Sequence, residues 1–474
     1  MAIEIIVKDD SGKQVKMTVE LENDQNWEEI CYQVGCQVAR EIATRWLEAM
    51  EERLFQERDK NLGVECTRER IRVTRFGRFD IRRRLYSDSQ GDSHFLLDEY
   101  LNWLPYKWST PSLREAIVEL STRTTFRDVS GALENLVAGV LSASTIHRVL
   151  QEVSEAAIQE EKKEWEDCFL RGKHPPPGAG KARVLYVEAD GLYVHLQRET
   201  REGKKQKHYE LKNAIAYEGW ERLSQKEERY RLVNKRVYCH SDSGTPFWDG
   251  AGLEWHKHWD LGYTELVILG GDDANWIDKG IDELAFCIRQ LSGFHLARSC
   301  RKGWESGDDM YDAIRCGRVR RTLGEVKERE GKTAPKARSY VLKRLEKGAD
   351  WRKKLEAMGL SDEIPDDARG LGAIEGNESN LFADRMKDRG MSWTIPGAQH
   401  MGKAIQLAVN GDLSNWCGRR PDHSSSSEMG RSNLSFDLFE SHNRTAIPAL
   451  ESPYASRPWG KAIRQVTMNT HRLL

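Results

Sequence analysis

The chain has 474 residues, 39% hydrophobic and 31% charged, with 73 Lys+Arg against 75 Asp+Glu for a formal net charge of −2. At about 150 residues per domain this is material for two to four domains, and near-neutrality excludes a polycation as a whole. No apolar run approaches the ~18 residues of a membrane span. Met1-Ala2-Ile3-Glu4-Ile5 does not open a signal peptide, and the nine cysteines are scattered without a Cys-x-x-Cys pair. A cytoplasmic protein with free thiols is therefore expected, with no membrane partner.

Residues 3–20 alternate and predict a hairpin around Asp9-Asp10-Ser11-Gly12. Trp27, Ile30, Val34, Val38, Ile42, Trp46, Met50 and Leu54 recur every three or four positions. They predict one amphipathic helix over 25–58 whose stripe packs on its own domain or on a second subunit. From Thr67 to Leu85 stand eight arginines against Glu69 and Asp80, a net of +6. Ile71, Val73, Phe79 and Ile81 at strand spacing around Gly77 predict a β-hairpin there. Its guanidinium groups, among them Arg72, Arg75, Arg78, Arg82, Arg83 and Arg84, are expected on an exposed face. A second run, 318–354, holds 14 basic and 5 acidic residues, a net of +9. Such clustering is the footprint of a polyanion partner, although one run alone is also what a solvated surface looks like.

Between these runs, residues 111–156 predict three helices, beginning at Ser112, Thr125 and Ser144. A short helix, a turn holding Gly139 and a helix led by polar residues make a helix-turn-helix pattern, which plain three-helix packing shares. On the DNA-binding reading Ser144, Thr145, His147 and Arg148 face the duplex. Lys173–Lys181, with three prolines and two glycines, is a linker. Its Gly178-Ala179-Gly180-Lys181 lacks the preceding strand and following Ser/Thr of a phosphate loop.

After the linker the period becomes two. Arg183–Ala189 and Leu192–Glu199 predict adjacent strands joined at Asp190-Gly191, and Tyr209–Trp220 a third. Thr264–Leu269 predicts a buried strand ending in Gly270-Gly271-Asp272-Asp273, and Ala285–Leu291 another ahead of Gly293-Phe294-His295. Residues 320–358 predict charged helices and 374–388 a further one. The tail from about 418 is polar.

Asp190 and Asp272 each follow an apolar strand, where α/β sheets present groups to a ligand, and Glu375 lies near the start of a helix. Converging carboxylates repel one another unless a cation neutralises them, and hard oxygen ligands suit Mg²⁺ or Mn²⁺. Two such ions about 3.5–4 Å apart stabilise both oxygens of a phosphodiester displacement. Taken singly, Asp-Gly is ordinary turn chemistry and an early-helix Glu favours the macrodipole.

Four segments together are more specific. Tyr186-Val187-Glu188-Ala189-Asp190-Gly191, Gly271-Asp272-Asp273-Ala274-Asn275-Trp276, Gly293-Phe294-His295-Leu296, and Gly372-Ala373-Ile374-Glu375-Gly376-Asn377 with Arg385–Trp393 resemble the ISLre-type insertion-sequence transposases, relatives of the Mutator-like DDE transposases. The likeness runs to about residue 410. It implies an α/β fold: an RNase H-like catalytic domain over 182–400 with a helical insertion at about 317–368. Ahead of it come a hairpin and long helix (1–60), a basic β-hairpin region (61–110), an all-α helix-turn-helix-type region (111–172) and the linker 173–181. A tail (401–474) follows.

The resemblance further implies that Asp190, Asp272 and Glu375 are both catalytic residues and ligands of two Mg²⁺ (or Mn²⁺) ions. His295, Asp273 and Glu378 would support them, Glu378 as runner-up for the third ligand and Asp273 as a possible substitute for Asp272. Relatives carry Gly where this chain has Asp273, and Asp-x-x-His where it has Ser292-Gly293-Phe294-His295. Arg385, Lys387 and Arg389 would contact phosphate. The implied partner is double-stranded DNA, both terminal repeats and target, bound by a homo-oligomer on the nucleoid. A catalytically silent DNA-binding derivative and an RNase H-like nuclease without strand transfer are the alternatives.

Overall fold

The computed structural model describes residues 2–8, 14–20, 26–101, 103, 107–136, 141–197, 200–201, 204–205, 207–223, 229–242, 244–284 and 286–418. The turn at 9–12, the helix break at 139–140 and the tail from 419 lie outside them. The chain divides into two compact units, Met1–Ala157 with a return from Gly411, and Ile158–Asn410 with a further segment outside the described residues. The architecture is mixed α/β.

In the first unit, β1 (Ala2–Lys8) and β2 (Gln14–Glu20) pair antiparallel. Helix α1 (Trp27–Glu57) starts at Asn26, whose side chain accepts the N–H groups of Glu28 and Glu29. The arginine-rich segment forms the hairpin β3 (Gly63–Thr74) and β4 (Gly77–Ser87), turned at Gly77 with φ +106°. Leu47 of α1 packs with Phe79, Ile81, Leu97 and Trp103 into one core cluster.

Two expectations change here. Met50 and Leu54 of the expected stripe pack against that cluster, but the buried residues of α1 are Cys36, Leu47 and Glu51, and Trp27, Ile42 and Trp46 of the stripe are exposed. Glu51 is buried because its carboxylate accepts the Arg84 N–H, 2.9 Å away on the hairpin, so hydrogen bonding as well as hydrophobicity chose the face. Nor do the hairpin arginines share one exposed surface. Arg72 is buried, its guanidinium 4.3 Å from the Trp103 ring centroid and bonded to the Lys107 carbonyl. Arg83 covers Phe95 and pairs with Asp98, and Arg84 reaches Glu52 at 2.6 Å. Arg75, Arg78 and Arg82 are exposed.

Three helices follow: α2 (Pro111–Ser121), α3 (Phe126–Leu136) and α4 (Ala143–Trp165). Leu113, Ile117, Val129, Leu133, Ile146 and Val149 are buried. Ser142 caps α4 by accepting the Thr145 N–H at 3.2 Å. Ser144 and Arg148 are exposed, and the His147 ring lies 5.0 Å from that of Phe126.

The second unit is built on a five-stranded sheet. Its strands are β5 (Val184–His195), β6 (His208–Tyr217), β7 (Arg236–His240), β8 (Leu266–Gly271) and β9 (Cys287–Leu291), ordered β7-β6-β5-β8-β9. The first three pair antiparallel, while β8 lies parallel to both β5 and β9. Leu185, Val187, Ala214, Val267 and Leu269 meet Phe247, Trp248 and Trp255 of α5 (Thr245–His256) in the main core. β5 is one strand, not two. Asp190-Gly191 continues the ladder opposite Asn213 and Lys212, because a partner long enough to pair with both halves overrides the turn tendency of Asp-Gly.

Short helices follow β9: α6 (Gly293–Gly303), α7 (Gly307–Arg315), α8 (Ala334–Leu342) and α9 (Trp351–Ala357). Cys300, Trp304, Met310, Ile314 and Val341 form their own cluster. Further on are α10 (Ala373–Asn377), which runs on into a π-helical turn at Glu378–Ala383, and α11 (Ile395–Asn410).

Candidate active site

Register brings the chemistry together. The last parallel pairs are Ala189 with Gly271 and Gly271 with Leu291. One step further along these three strands stand Asp190, Asp272 and Ser292. Gly271 permits the close approach. Its φ is +154°, and a Cβ there would lie 2.6 Å from the Ala189 carbonyl oxygen. Asp272 is held by its backbone, since Arg289 donates to the carbonyls of Gly271 and Asp272. Its own Oδ1 accepts the Ala274 N–H at 2.9 Å.

Glu375 arrives from α10, and that helix is fixed by a residue for which the sequence suggested no role. Glu188 is buried two positions before Asp190, so both side chains leave the same face of β5. Its carboxylate accepts the N–H groups of Gly372 (2.8 Å), Ala373 (3.1 Å) and Ile374 (3.3 Å), and the Tyr217 hydroxyl at 2.6 Å. These are the donors a helix N-terminus leaves unpaired. Burial raises the Glu188 carboxyl above the usual range, and the four donors oppose that. The only sequence signal was an acid inside an apolar strand.

Glu375 Oε1 accepts the Ser292 hydroxyl at 2.8 Å and lies 3.8 Å from His295 Nε2. Asp190, His295 and Glu375 offer ligand atoms all within 4.8 Å of one another. Among the described residues this is a possible metal site, and Asp272 is not a member of it. The Asp190 carboxyl is pushed up to about 7, first by burial and then by the charges of Glu375, Asp272 and Glu378, against the Gly191 N–H that lowers it. Crowded acids of this kind are what a divalent cation would relieve. Burial likewise raises Glu378.

The remaining candidates separate. Asp273 turns to Arg344 and, at 3.3 Å, Lys347, which hold its carboxyl below the usual range despite burial. It is thereby occupied rather than free to replace Asp272. Arg385 is buried, 5.2 Å from the Trp393 ring centroid, so it does not face solvent phosphate. Lys387 is exposed, and Arg389 pairs with Asp384 at 2.8 Å. Asp190 lies within its strand rather than at its end, while Asp272 does follow the last residue of β8.

The profile of the uncharacterised protein family UPF0236 matches residues 20–418. A UPF0236 protein in the vanSb 3′ region of Streptococcus gallolyticus is 26% identical over 344 residues, 68% of this chain and 69% of that relative. Among solved structures, the Drosophila P element transposase strand transfer complex aligns at 9% identity over 65% of this chain and 79% of that one. The TM-score of that alignment is 0.24. No helix among the described residues is long and apolar enough to cross a membrane.

Proposed function

The chain belongs to the uncharacterised protein family UPF0236, and we propose that it is a DDE-type DNA transposase of an insertion sequence. On this reading the second unit is RNase H-like. It hydrolyses a phosphodiester at an element end and joins the freed 3′-OH to target DNA. The observation that carries the reading is the meeting of Asp190, Glu375 and His295 within 4.8 Å beside Asp272. Asp190 lies in, and Asp272 directly follows, strands of a sheet whose order, numbered along the chain, is 3-2-1-4-5 with the first three antiparallel, while His295 and Glu375 come from α6 and α10. The likeness of the four sequence segments to ISLre-type transposases supports it independently.

Asp190 and Glu375 would hold the divalent cation, with Asp272 completing an oxygen set or His295 a mixed one. Carboxylates suit Mg²⁺ and Mn²⁺, and an imidazole favours Mn²⁺ of the two. Bound there, such an ion supplies Lewis-acid stabilisation of the phosphate and eases deprotonation of the attacking hydroxyl or water. The chain's own task is preorganisation. Glu188 clips α10 to β5, Ser292 orients Glu375, and Arg289 fixes the strand end at Asp272. Arg344 and Lys347 neutralise Asp273 and so reduce repulsion beside the site. Ser292 and Asp273 therefore leave the acid set complete, which favours an active enzyme over a silent derivative.

In the first unit, exposed Arg75, Arg78, Arg82, Ser144 and Arg148 would read element ends, phosphate contacts giving affinity and base contacts giving specificity. The test is a labelled duplex carrying the ends that flank the coding sequence, incubated with Mg²⁺ or Mn²⁺. Strand cleavage and joined products are expected, lost in Asp190→Ala and Asp272→Ala. Undiminished cutting by either variant would refute the assignment.

A further inference from the structure

We propose that one face of α6 is the track for an unpaired DNA strand leaving the acid site, with Phe294 as its base-stacking platform. This rests on the transposase reading and adds a substrate form to it. Phe294 is 57% exposed although it immediately precedes His295. Large aromatic side chains normally bury their rings. Arg298 and Lys302 follow at intervals of four, which puts them on the same helix face. Both are exposed, and among the described residues neither has a partner in an ion pair or side-chain hydrogen bond.

These two cations line both of two adjoining depressions. One, of about 480 Å³, opens on Asp272 and His295. The other, of about 580 Å³, holds Phe294 and Arg329. The two depressions thus meet along Arg298 and Lys302, one opening on the candidate acids and the other on the exposed ring. Free cations suit phosphates anywhere, but a stacking ring among them suits a strand whose base faces are open. A duplex hides those faces. The inferred ligand is therefore a short single-stranded extension of a duplex, at the point where a DNA end is opened for cleavage.

The experiment uses the full chain in Ca²⁺ and two duplexes, one blunt and one with a five-nucleotide single-stranded extension containing 2-aminopurine. Binding of the extended duplex should quench the fluorophore and be at least fivefold tighter than binding of the blunt one. Phe294→Ala should remove both the quench and the preference. Arg298→Glu with Lys302→Glu should weaken the extended duplex at least tenfold and flatten its salt dependence. These side chains are exposed, so unchanged melting temperatures will exclude misfolding. Equal affinity for both duplexes, or variants that quench and bind like the parent, would overturn the track. Asp190→Asn separates the two readings. If it binds and quenches normally but does not cut in Mn²⁺, both stand. If the parent itself does not cut yet quenches, the track stands and the transposase reading falls.

Discussion

Glu188 Oε2 accepts the Gly372 N–H at 2.8 Å and so joins the strand of Asp190 to the helix of Glu375 across 184 positions of sequence. A carboxylate is acceptor-only and can take all four donors that converge on it, whereas an amide replaces one acceptor oxygen with a donor. Glu188→Gln should therefore leave buried N–H groups unpaired, at about 1–3 kcal/mol each. We expect lower stability in urea unfolding and at least a tenfold loss of cleavage, with DNA affinity retained. Parental cleavage in this variant would show that Glu375 does not depend on the clip.

Asp273 and Asp272 are adjacent acids with different partners. Asp273 is neutralised by Arg344 and Lys347, so Asp273→Asn should retain cleavage to within about fivefold while Asp272→Asn abolishes it. Rates of single-strand nicking compare them directly. The reverse ranking would make Asp273 the ligand.

Asp249 gives a pH signature. Its carboxyl is pushed up to about 7 by burial, with the Trp165 indole N–H opposing and Glu283 adding to the rise. A raised folded value means the folded state holds the proton more tightly. That stability is full below the unfolded value near 4 and is lost as pH rises through about 7. Asp249→Asn retains an acceptor for Trp165 and carries no charge. It should stabilise the protein by on the order of 2–4 kcal/mol at pH 8 and change little at pH 4. Chemical denaturation at both pH values checks this, and an equal effect at each would contradict it.

The two kinds of hairpin arginine should behave oppositely. Arg72 is buried against Trp103, so Arg72→Ala should cost about 2–4 kcal/mol of stability through lost packing. Arg82 is solvent-exposed and pairs with exposed Glu69. Arg82→Ala should stay within about 0.5 kcal/mol while lowering the salt slope of DNA binding by about 1. Thermal unfolding and binding titrations at several salt concentrations separate the two.

Strand acids beside glycine were readable because apolar runs and Gly270-Gly271 stand out locally. The continuity of β5 through Asp190 was not, since Asp-Gly has turn chemistry and only the pairing with Asn213 and Lys212 overrides it. Glu188 was hidden for a related reason: its four donors come from residues up to 186 positions away. Arg72 and Arg83 read as surface charge until Trp103, Phe95 and Asp98 enclosed them. The face of α1 was legible only in part: Met50 and Leu54 of the stripe do pack on the hairpin core, but Ile42 and Trp46 are exposed and a buried acid, Glu51, helps hold the helix to the hairpin. Periodicity reports where apolar side chains lie, and it is blind to a carboxylate whose partners arrive from another element.

Anomalous diffraction from crystals soaked in Mn²⁺ tests the central claim most directly. The account expects an ion about 2.0–2.2 Å from carboxylate oxygens of Asp190 and of at least one of Asp272 and Glu375. Manganese absent from this cleft at saturating concentration, or bound without Asp190, would contradict it.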